Sequence, residues 1–340
     1  MTSQRSDNTK MNLERKTVLV TGAGGFIASH LVERLAEAGA HVRAFVRYNA
    51  RADDGLLRFI DAGIYSELEI IRGDLRDVEA MRAAAHGVDT IFHLGALIAI
   101  PYSYDHLREV VETNVMGTLN VLLAGREAQV RRIIQTSTSE VYGTARYAPI
   151  DEKHPLQAQS PYSASKISAD KISESLYDSF NLPVITLRPF NTYGPRQSAR
   201  AIIPTIITQA LTRDEVRLGS LDPVRDFTFV ADTVNGFLKA ATAEDNVLGE
   251  AINLGTGEMI SIGELASMIF DLLGKQPRII TDSQRLRPPK SDVFKLQSNN
   301  TKARELIVWT PEVPLRDGLQ QTIEWISKHL SIFQPDEYAK

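Results

Sequence analysis

A chain of 340 residues, 43% hydrophobic and 24% charged, has room for about two domains or one large α/β unit with an added lobe, and is too apolar to be largely disordered. Its net charge of −4 and pI near 6.0 lack the basic excess of a nucleic-acid binder. The absence of cysteine excludes disulfides, thiolate zinc sites, iron–sulfur clusters and a cysteine nucleophile, and the histidines are too scattered for a histidine-built metal site.

The segment from Met1 to Lys16 is polar, carries no apolar run of signal-peptide length, and reads over residues 1–15 as a flexible tail. Apolar stretches such as Leu94–Ile100 fall far short of the ~20 residues that span a bilayer. No membrane partner is expected, and a cytoplasmic location is the default expectation.

Thr17–Val20 reads as a strand, followed by a helix over Phe26–Ala38 with Ile27, Leu31 and Leu35 on one face and Gly39 as its C-cap. Further strands are predicted at Val42–Arg47, Leu68–Arg72, Thr90–Leu94, Arg132–Thr136 and Val184–Arg188. Helical patterns lie between most of them, the longest over Asp105–Ala128 and Tyr162–Phe180. Strands alternating with helices predict an α/β fold of Rossmann type, a doubly wound parallel sheet. After Pro189, prolines and glycines become frequent and the elements shorten, as at Val216–Leu218 and Ala251–Leu254. The expected division is a dinucleotide-binding domain over residues 16–190 and a smaller lobe over 191–330, interleaved with the last strands of the sheet.

The first strand runs into Thr21-Gly22-Ala23-Gly24-Gly25-Phe26-Ile27-Ala28. Gly22 permits a tight turn, Gly25 lets backbone approach a pyrophosphate, and Ala28 keeps the helix close to the strand. The helix N-terminus then offers free N–H groups to the phosphates, so this turn predicts a dinucleotide site. An acid at the end of the second strand would hold the ribose of NAD. Here the strand ends Val46-Arg47-Tyr48-Asn49, with no acid before Asp53. Arg47 suits a 2′-phosphate, so the cofactor is expected to be NAD(P) with a lean to NADP; stacking on adenine or simple solvation are its other readings. Asp74 either accepts from the adenine amino group or is a turn residue. Phe26, Ile27, Leu75, Leu94, Ala96 and Pro189 complete the expected cofactor-binding set.

Tyr162 and Lys166, four apart at the start of a helix, share one face. The ammonium is expected to lower the phenol's pKa and make Tyr162 a base for a sugar hydroxyl, although the same spacing also occurs on solvated helix faces. Upstream, the fifth strand ends Thr136-Ser137-Thr138-Ser139-Glu140-Val141-Tyr142-Gly143. In an extended strand Thr138 and Glu140 face the same side and Ser139 faces away unless the chain turns. Capping or turn chemistry is the alternative for these hydroxyls.

These strings, with Asn114-Val115-Met116-Gly117-Thr118 and Arg188-Pro189-Phe190-Asn191-Thr192-Tyr193-Gly194-Pro195-Arg196, fall in the order seen in extended short-chain dehydrogenase/reductases acting on nucleotide sugars. The resemblance covers about residues 16–330. Thr138–Gly143 and Tyr162–Lys166 resemble the 4,6-dehydratases. The UDP-glucuronate decarboxylases usually carry arginine after the lysine, where Ile167 stands here. The closest resemblance is to NDP-N-acetylglucosamine 4,6-dehydratases of the legionaminic-acid pathway. One departure is Ser139, where dTDP-glucose 4,6-dehydratases place aspartate.

The resemblance implies Thr138, Glu140, Tyr162 and Lys166 as catalytic residues. Tyr162 would take the C4 hydroxyl proton and Glu140 the C5 proton, water would leave from C6, and the cofactor would be regenerated. Ser139, Asn191, Ile203, Pro204, Arg217, Arg225 and Arg287 would contact a UDP- or GDP-hexose, with Arg225 and Arg287 on its phosphates unless they form surface ion pairs. Leu97–Tyr104 lines the sugar pocket or is ordinary core. A C4-epimerase, a decarboxylase and a non-catalytic dinucleotide sensor are the rival readings; the last usually lacks the Tyr/Lys pair. A homodimer is expected, since Asp105–Ala128 and Tyr162–Phe180 carry more apolar positions than one sheet face needs and family members commonly pair these helices.

Overall fold

A computed structural model describes residues 13–285 and 294–333. The strands, in chain order, are β1 (Thr17–Thr21), β2 (His41–Arg47), β3 (Glu69–Gly73), β4 (Thr90–His93), β5 (Arg132–Thr136), β6 (Val184–Pro189), β7 (Thr192–Tyr193), β8 (Glu215–Leu218), β9 (Val224–Arg225), β10 (Thr228–Phe229), β11 (Ala251–Leu254), β12 (Ile260–Ser261) and β13 (Arg278–Thr281). The helices that matter for the site are α1 (Phe26–Glu37), α2 (Ala62–Glu67), α3 (Val78–Ala85), α4 (Ile100–Asp105), α5 (Leu107–Val111), α6 (Gly117–Glu127), α7 (Pro161–Phe180), α8 (Ile202–Thr212) and α9 (Val230–Thr242).

Seven strands form one parallel sheet in the order β11-β6-β5-β4-β1-β2-β3. The fold is α/β, with a Rossmann-type doubly wound sheet. The strand β1 shows why: Val18 and Val20 sit in one core cluster and Leu19 in the other, so both faces of the strand are buried. A strand covered by helices on both sides must be apolar throughout, and Thr17–Thr21 nearly is. One cluster lies under α1 and α9 and holds Leu31, Leu35, Val234 and Phe237. The other lies under α3, α6 and α7 and holds Met81, Leu122 and Leu176. The strand β11 returns from the C-terminal half to pair with β6, Ile252 opposite Leu187.

The helix expected over Asp105–Ala128 is present from Leu107 to Glu127, starting after a break at His106. It runs through α5, widens into one π turn over Glu112–Met116, and narrows again as α6. The π turn carries Asn114, whose Oδ1 accepts from Leu97 N at 2.7 Å and whose Nδ2 donates to Leu97 O at 2.9 Å. A side chain that satisfies both backbone groups of a neighbouring loop explains why the regular ladder yields there. Among the described residues no helix is long and apolar enough to cross a membrane.

Candidate active site

The strand order turns between β1 and β4, and ligands of open α/β sheets bind beyond the carboxyl ends of the strands at such a turn. Gly22 stands there with φ +69°, and a Cβ on it would lie 2.6 Å from Gly95 Cα. Only glycine fits. Gly25 caps α1 without a side-chain hydrogen bond, and the first turn of α1 holds no acid. The N–H groups of that turn, in the segment that starts with Phe26 and Ile27, are therefore left for an anion.

Beside this loop is a cavity of about 130 Å³. Gly22, Arg47, Asp74, Leu75 and Ala96 of the expected cofactor set line it, together with Gly95 and Thr113. The residues fit a dinucleotide: a glycine cradle that a side chain would fill, a helix N-terminus, and a cavity at the strand ends. Arg47 Nη2 donates to Glu109 Oε1 at 3.3 Å, and Tyr102 OH donates to the other oxygen of Glu109. Asp74 accepts from Arg76 Nη2 at 2.7 Å, which holds its carboxyl below the usual range. Leu94 follows β4, its N–H donating to Thr21 O, and Pro189 ends β6 opposite Leu254.

Helix α7 begins with a reciprocal cap: Ser163 N donates to Ser160 Oγ at 3.1 Å, and Ser160 N to Ser163 Oγ at 3.0 Å. This sets Tyr162 in the first turn and Lys166 in the next, 7% and 3% exposed. The expected lowering of the phenol by the lysine is not what the structure shows. Burial pushes the Tyr162 phenol well above its ordinary value, the charges of Glu140 and Asp170 act in the same direction, and only a hydrogen bond with the Thr138 side chain opposes them. Lys166 Nζ instead donates to Thr136 O at 2.6 Å, and burial brings its pKa down to about 8. Burial is the largest cause of both shifts.

The expected extended geometry of Thr138 and Glu140 is also corrected. The strand β5 stops at Thr136, and Ser139–Tyr142 is a turn of 3₁₀ helix capped by Thr138, whose Oγ1 accepts from Glu140 N at 3.2 Å. A turn, not strand alternation, brings hydroxyl and carboxylate to Tyr162, and Ser139 is buried within it. Ser137 gives the last rung of the β5–β6 ladder, its N–H to Leu187 O, and its hydroxyl to Asp170.

Residues 19–322 match the family model described as GDP-mannose 4,6 dehydratase. The chain belongs to that family. Among curated relatives of this dehydratase-family chain, the UDP-glucose 4-epimerase of Mycolicibacterium smegmatis is 32% identical over 314 residues, covering 90% of this chain and 97% of its own. The dTDP-glucose 4,6-dehydratase of Streptomyces griseus is 31% identical, covering 94% and 96%. The solved dTDP-glucose 4,6-dehydratase DesIV of Streptomyces venezuelae, with NAD bound, superposes with a TM-score of 0.84 at 27% identity, covering 94% of this chain and 100% of that one. The chain is thus an enzyme of the nucleotide-sugar dehydratase and epimerase superfamily.

On the substrate side this family member commits several expected residues to its own fold. Asn191 Nδ2 donates to Asp226 O at 3.0 Å. Ile203 and Pro204 are buried in α8, with Ile203 inside the core. Arg225, expected on the phosphates, is buried and gives Nη1 to Val224 O and Phe294 O at 3.0 and 3.2 Å. Arg217 is exposed on β8, and Arg287 lies outside the described residues.

Sequence reasoning missed His93 and Asp170 and quoted Asn114 and Arg188 only as parts of strings. Neutral His93 bridges Thr21 Oγ1 at 2.7 Å and Thr118 Oγ1 at 2.9 Å, with burial holding its pKa at about 3. Asn114 also reaches Ser165 Oγ on α7 at 3.0 Å. The available signal for Asp170 was its place one turn past Lys166, on the face that already carries the pair.

Proposed function

We propose that this chain is an NAD(P)-dependent nucleotide-sugar 4,6-dehydratase that converts an NDP-hexose, best an NDP-N-acetylglucosamine, to the 4-keto-6-deoxy sugar. The observation that carries the reading is the turn after β5. It sets one carboxylate, Glu140, where its charge acts on the Tyr162 phenol. A simple epimerase needs no second base at C5; a dehydratase does.

Burial keeps the Tyr162 phenol protonated in the unliganded chain. Accepting the C4 hydroxyl proton requires a cation brought to the phenolate, and Lys166 is the cation one turn along the same face. Thr138 orients the phenol. NAD(P), when bound, would supply the hydride acceptor for C4 and the hydride donor for C6. Glu140 removes the C5 proton that the new ketone acidifies, and passes it to the departing C6 hydroxyl, since Ser139 offers no acid there; C5 takes a proton from solvent as C6 is reduced, and the proton held by Tyr162 returns to solvent. Arg47 at the cavity rim supports NADP: its side chain is exposed enough to leave Glu109 for a 2′-phosphate. The NAD bound by the Streptomyces venezuelae dehydratase supports the competing choice.

Mass spectrometry after incubation with UDP-N-acetylglucosamine, UDP-glucose, UDP-glucuronate and GDP-mannose tests the reading. Loss of one water from a hexose is expected. An unchanged mass with an altered sugar would establish the epimerase reading, which the Mycolicibacterium smegmatis relative favours. Loss of carbon dioxide from the glucuronate would establish a decarboxylase. The exposed Leu107, Val111, Met116 and Leu123 on α5–α6 support a homodimer. Light scattering at micromolar concentration is expected to give twice the chain mass, and a particle of 37.7 kDa would overturn it.

A further inference from the structure

Asp170 stands one turn beyond Lys166 on α7 and is almost wholly buried. Its Oδ2 accepts from Ser137 Oγ at 2.8 Å and from Arg188 Nε and Nη2 at 3.1 and 3.0 Å. Its Oδ1 is buried with no hydrogen-bond partner among the described residues. Arg188 Nη1 continues the network to Tyr142 OH at 2.9 Å, and that hydroxyl donates to Asn253 Oδ1 on β11 at 2.7 Å. The carboxylate is thus anchored to the end of β5, to β6 and, through Tyr142, to β11.

A bare buried carboxylate oxygen is costly unless a nearby cation offsets it. Residues four apart on a helix share a face, and the cation four residues before Asp170 is Lys166. We infer that Asp170 is a positioning residue for the Tyr162–Lys166 pair: pinned by Arg188 and Ser137, it supplies the buried negative charge against which the Lys166 ammonium is held at the end of β5.

The other groups around Lys166 do not supply that charge. From β4 comes His93, neutral and fully enclosed. From β5 comes the carbonyl of Thr136. Tyr162, on α7 itself, is a protonated phenol, and Glu140 from the 3₁₀ turn acts on that phenol. Arg188 from β6 is a cation beyond Asp170. Asp170 is the acid whose charge opposes the loss of the Lys166 proton.

The inference rests on Tyr162 and Lys166 being the reactive pair, but its test needs no substrate. Lysine-selective isotope labelling of the full chain, with the Lys166 signal assigned by its loss in Lys166→Arg, gives the titration by NMR. The wild-type signal is expected to titrate at about 8. Asp170→Asn should raise the acid dissociation constant of Lys166 by roughly tenfold or more. Arg188→Gln removes a cation and leaves the carboxylate less compensated, so it should lower that constant. Asp170→Glu keeps the charge and should stay near wild type.

A purely structural ion pair gives no reason for opposite shifts. If Asp170→Asn leaves the titration unmoved, or if both variants move it the same way, Asp170 is a strut and the inference fails. Should Asp170→Asn not fold, as its loss from a buried pair allows, Arg188→Gln and Asp170→Glu decide. An unshifted Arg188→Gln then overturns the inference. A protein that shows the opposite shifts but dehydrates no nucleotide sugar keeps the inference and loses the proposed function.

Discussion

Two ends of one row of strands handle charge in opposite ways. Beyond β2 and β3, the side chains of Arg47 and Arg76 are 65% and 37% exposed and pair with Glu109 and Asp74 in water. Beyond β5 and β6, the pair Arg188–Asp170 is 7% and 4% exposed, and each of its polar side-chain atoms but the acceptor Asp170 Oδ1 is hydrogen-bonded. Exposed pairs contribute about 0–1 kcal/mol and can be traded for a ligand's charge. Breaking a buried pair costs about 3–5 kcal/mol, so such a pair holds its shape and sets the protonation of its neighbours. On the proposed reading, the rim recognises a ligand and the floor controls protons.

The sharpest way to break this contrast is at the floor. Tyr162→Phe should nearly stop oxidation at C4, by about 10²–10⁴-fold. Glu140→Gln should instead allow that oxidation and stall afterwards, so that single-turnover absorbance shows reduced cofactor accumulating and deuterium no longer enters C5 from heavy water. If Glu140→Gln still exchanges C5 at the wild-type rate, Glu140 is not the base.

At the rim Gly22 is a position that admits no exchange. In Gly22→Ala the left-handed backbone costs the alanine about 1 kcal/mol, and its Cβ would collide with Gly95 Cα at 2.6 Å. Dinucleotide affinity, measured by calorimetry, and melting temperature should both fall. An unaltered affinity would mean that the loop does not form the pyrophosphate cradle.

Arg47→Asp tests whether the rim is exchangeable. It should move preference from NADP toward NAD by on the order of 1.5–3 kcal/mol, read as a ratio of dissociation constants. Wild-type protein that binds NAD at least as tightly as NADP would remove the argument from Arg47.

A further test sharpens the contrast through pH. His93 has its pKa brought down to about 3 by burial, against 6.5 when exposed. The unfolded chain therefore takes a proton that the folded chain refuses. Its contribution to stability is complete above pH 6.5 and is lost as pH falls toward 3, by at most about 1.4 kcal/mol per pH unit. His30, at about 4, adds its own share from 6.5 downward. Urea midpoints followed from neutral to acid pH should fall more steeply for wild type than for His93→Gln. Equal slopes would show that His93 is not held neutral.

What the sequence determined by itself was local and repetitive. A parallel strand buried on both faces must be a short apolar run, so Arg132–Thr136 and Ala251–Leu254 are legible to the residue. The glycine turn at Gly22–Gly25 and the four-residue spacing of Tyr162 and Lys166 are likewise written in adjacent residues. Tertiary structure decided whatever depends on which elements meet. It put a π turn into the helix predicted over Asp105–Ala128, where Asn114 binds both backbone groups of Leu97. It turned Thr138 and Glu140 through a 3₁₀ turn where alternation predicted a strand. It set Arg225 Nη1 against two backbone carbonyls and paired Asp170 with an arginine eighteen residues away. It also reversed the expected direction of the Tyr162 phenol. A pKa is set by how much water the packed chain removes and by which charges it brings near, and neither quantity exists until the strands and helices are assembled.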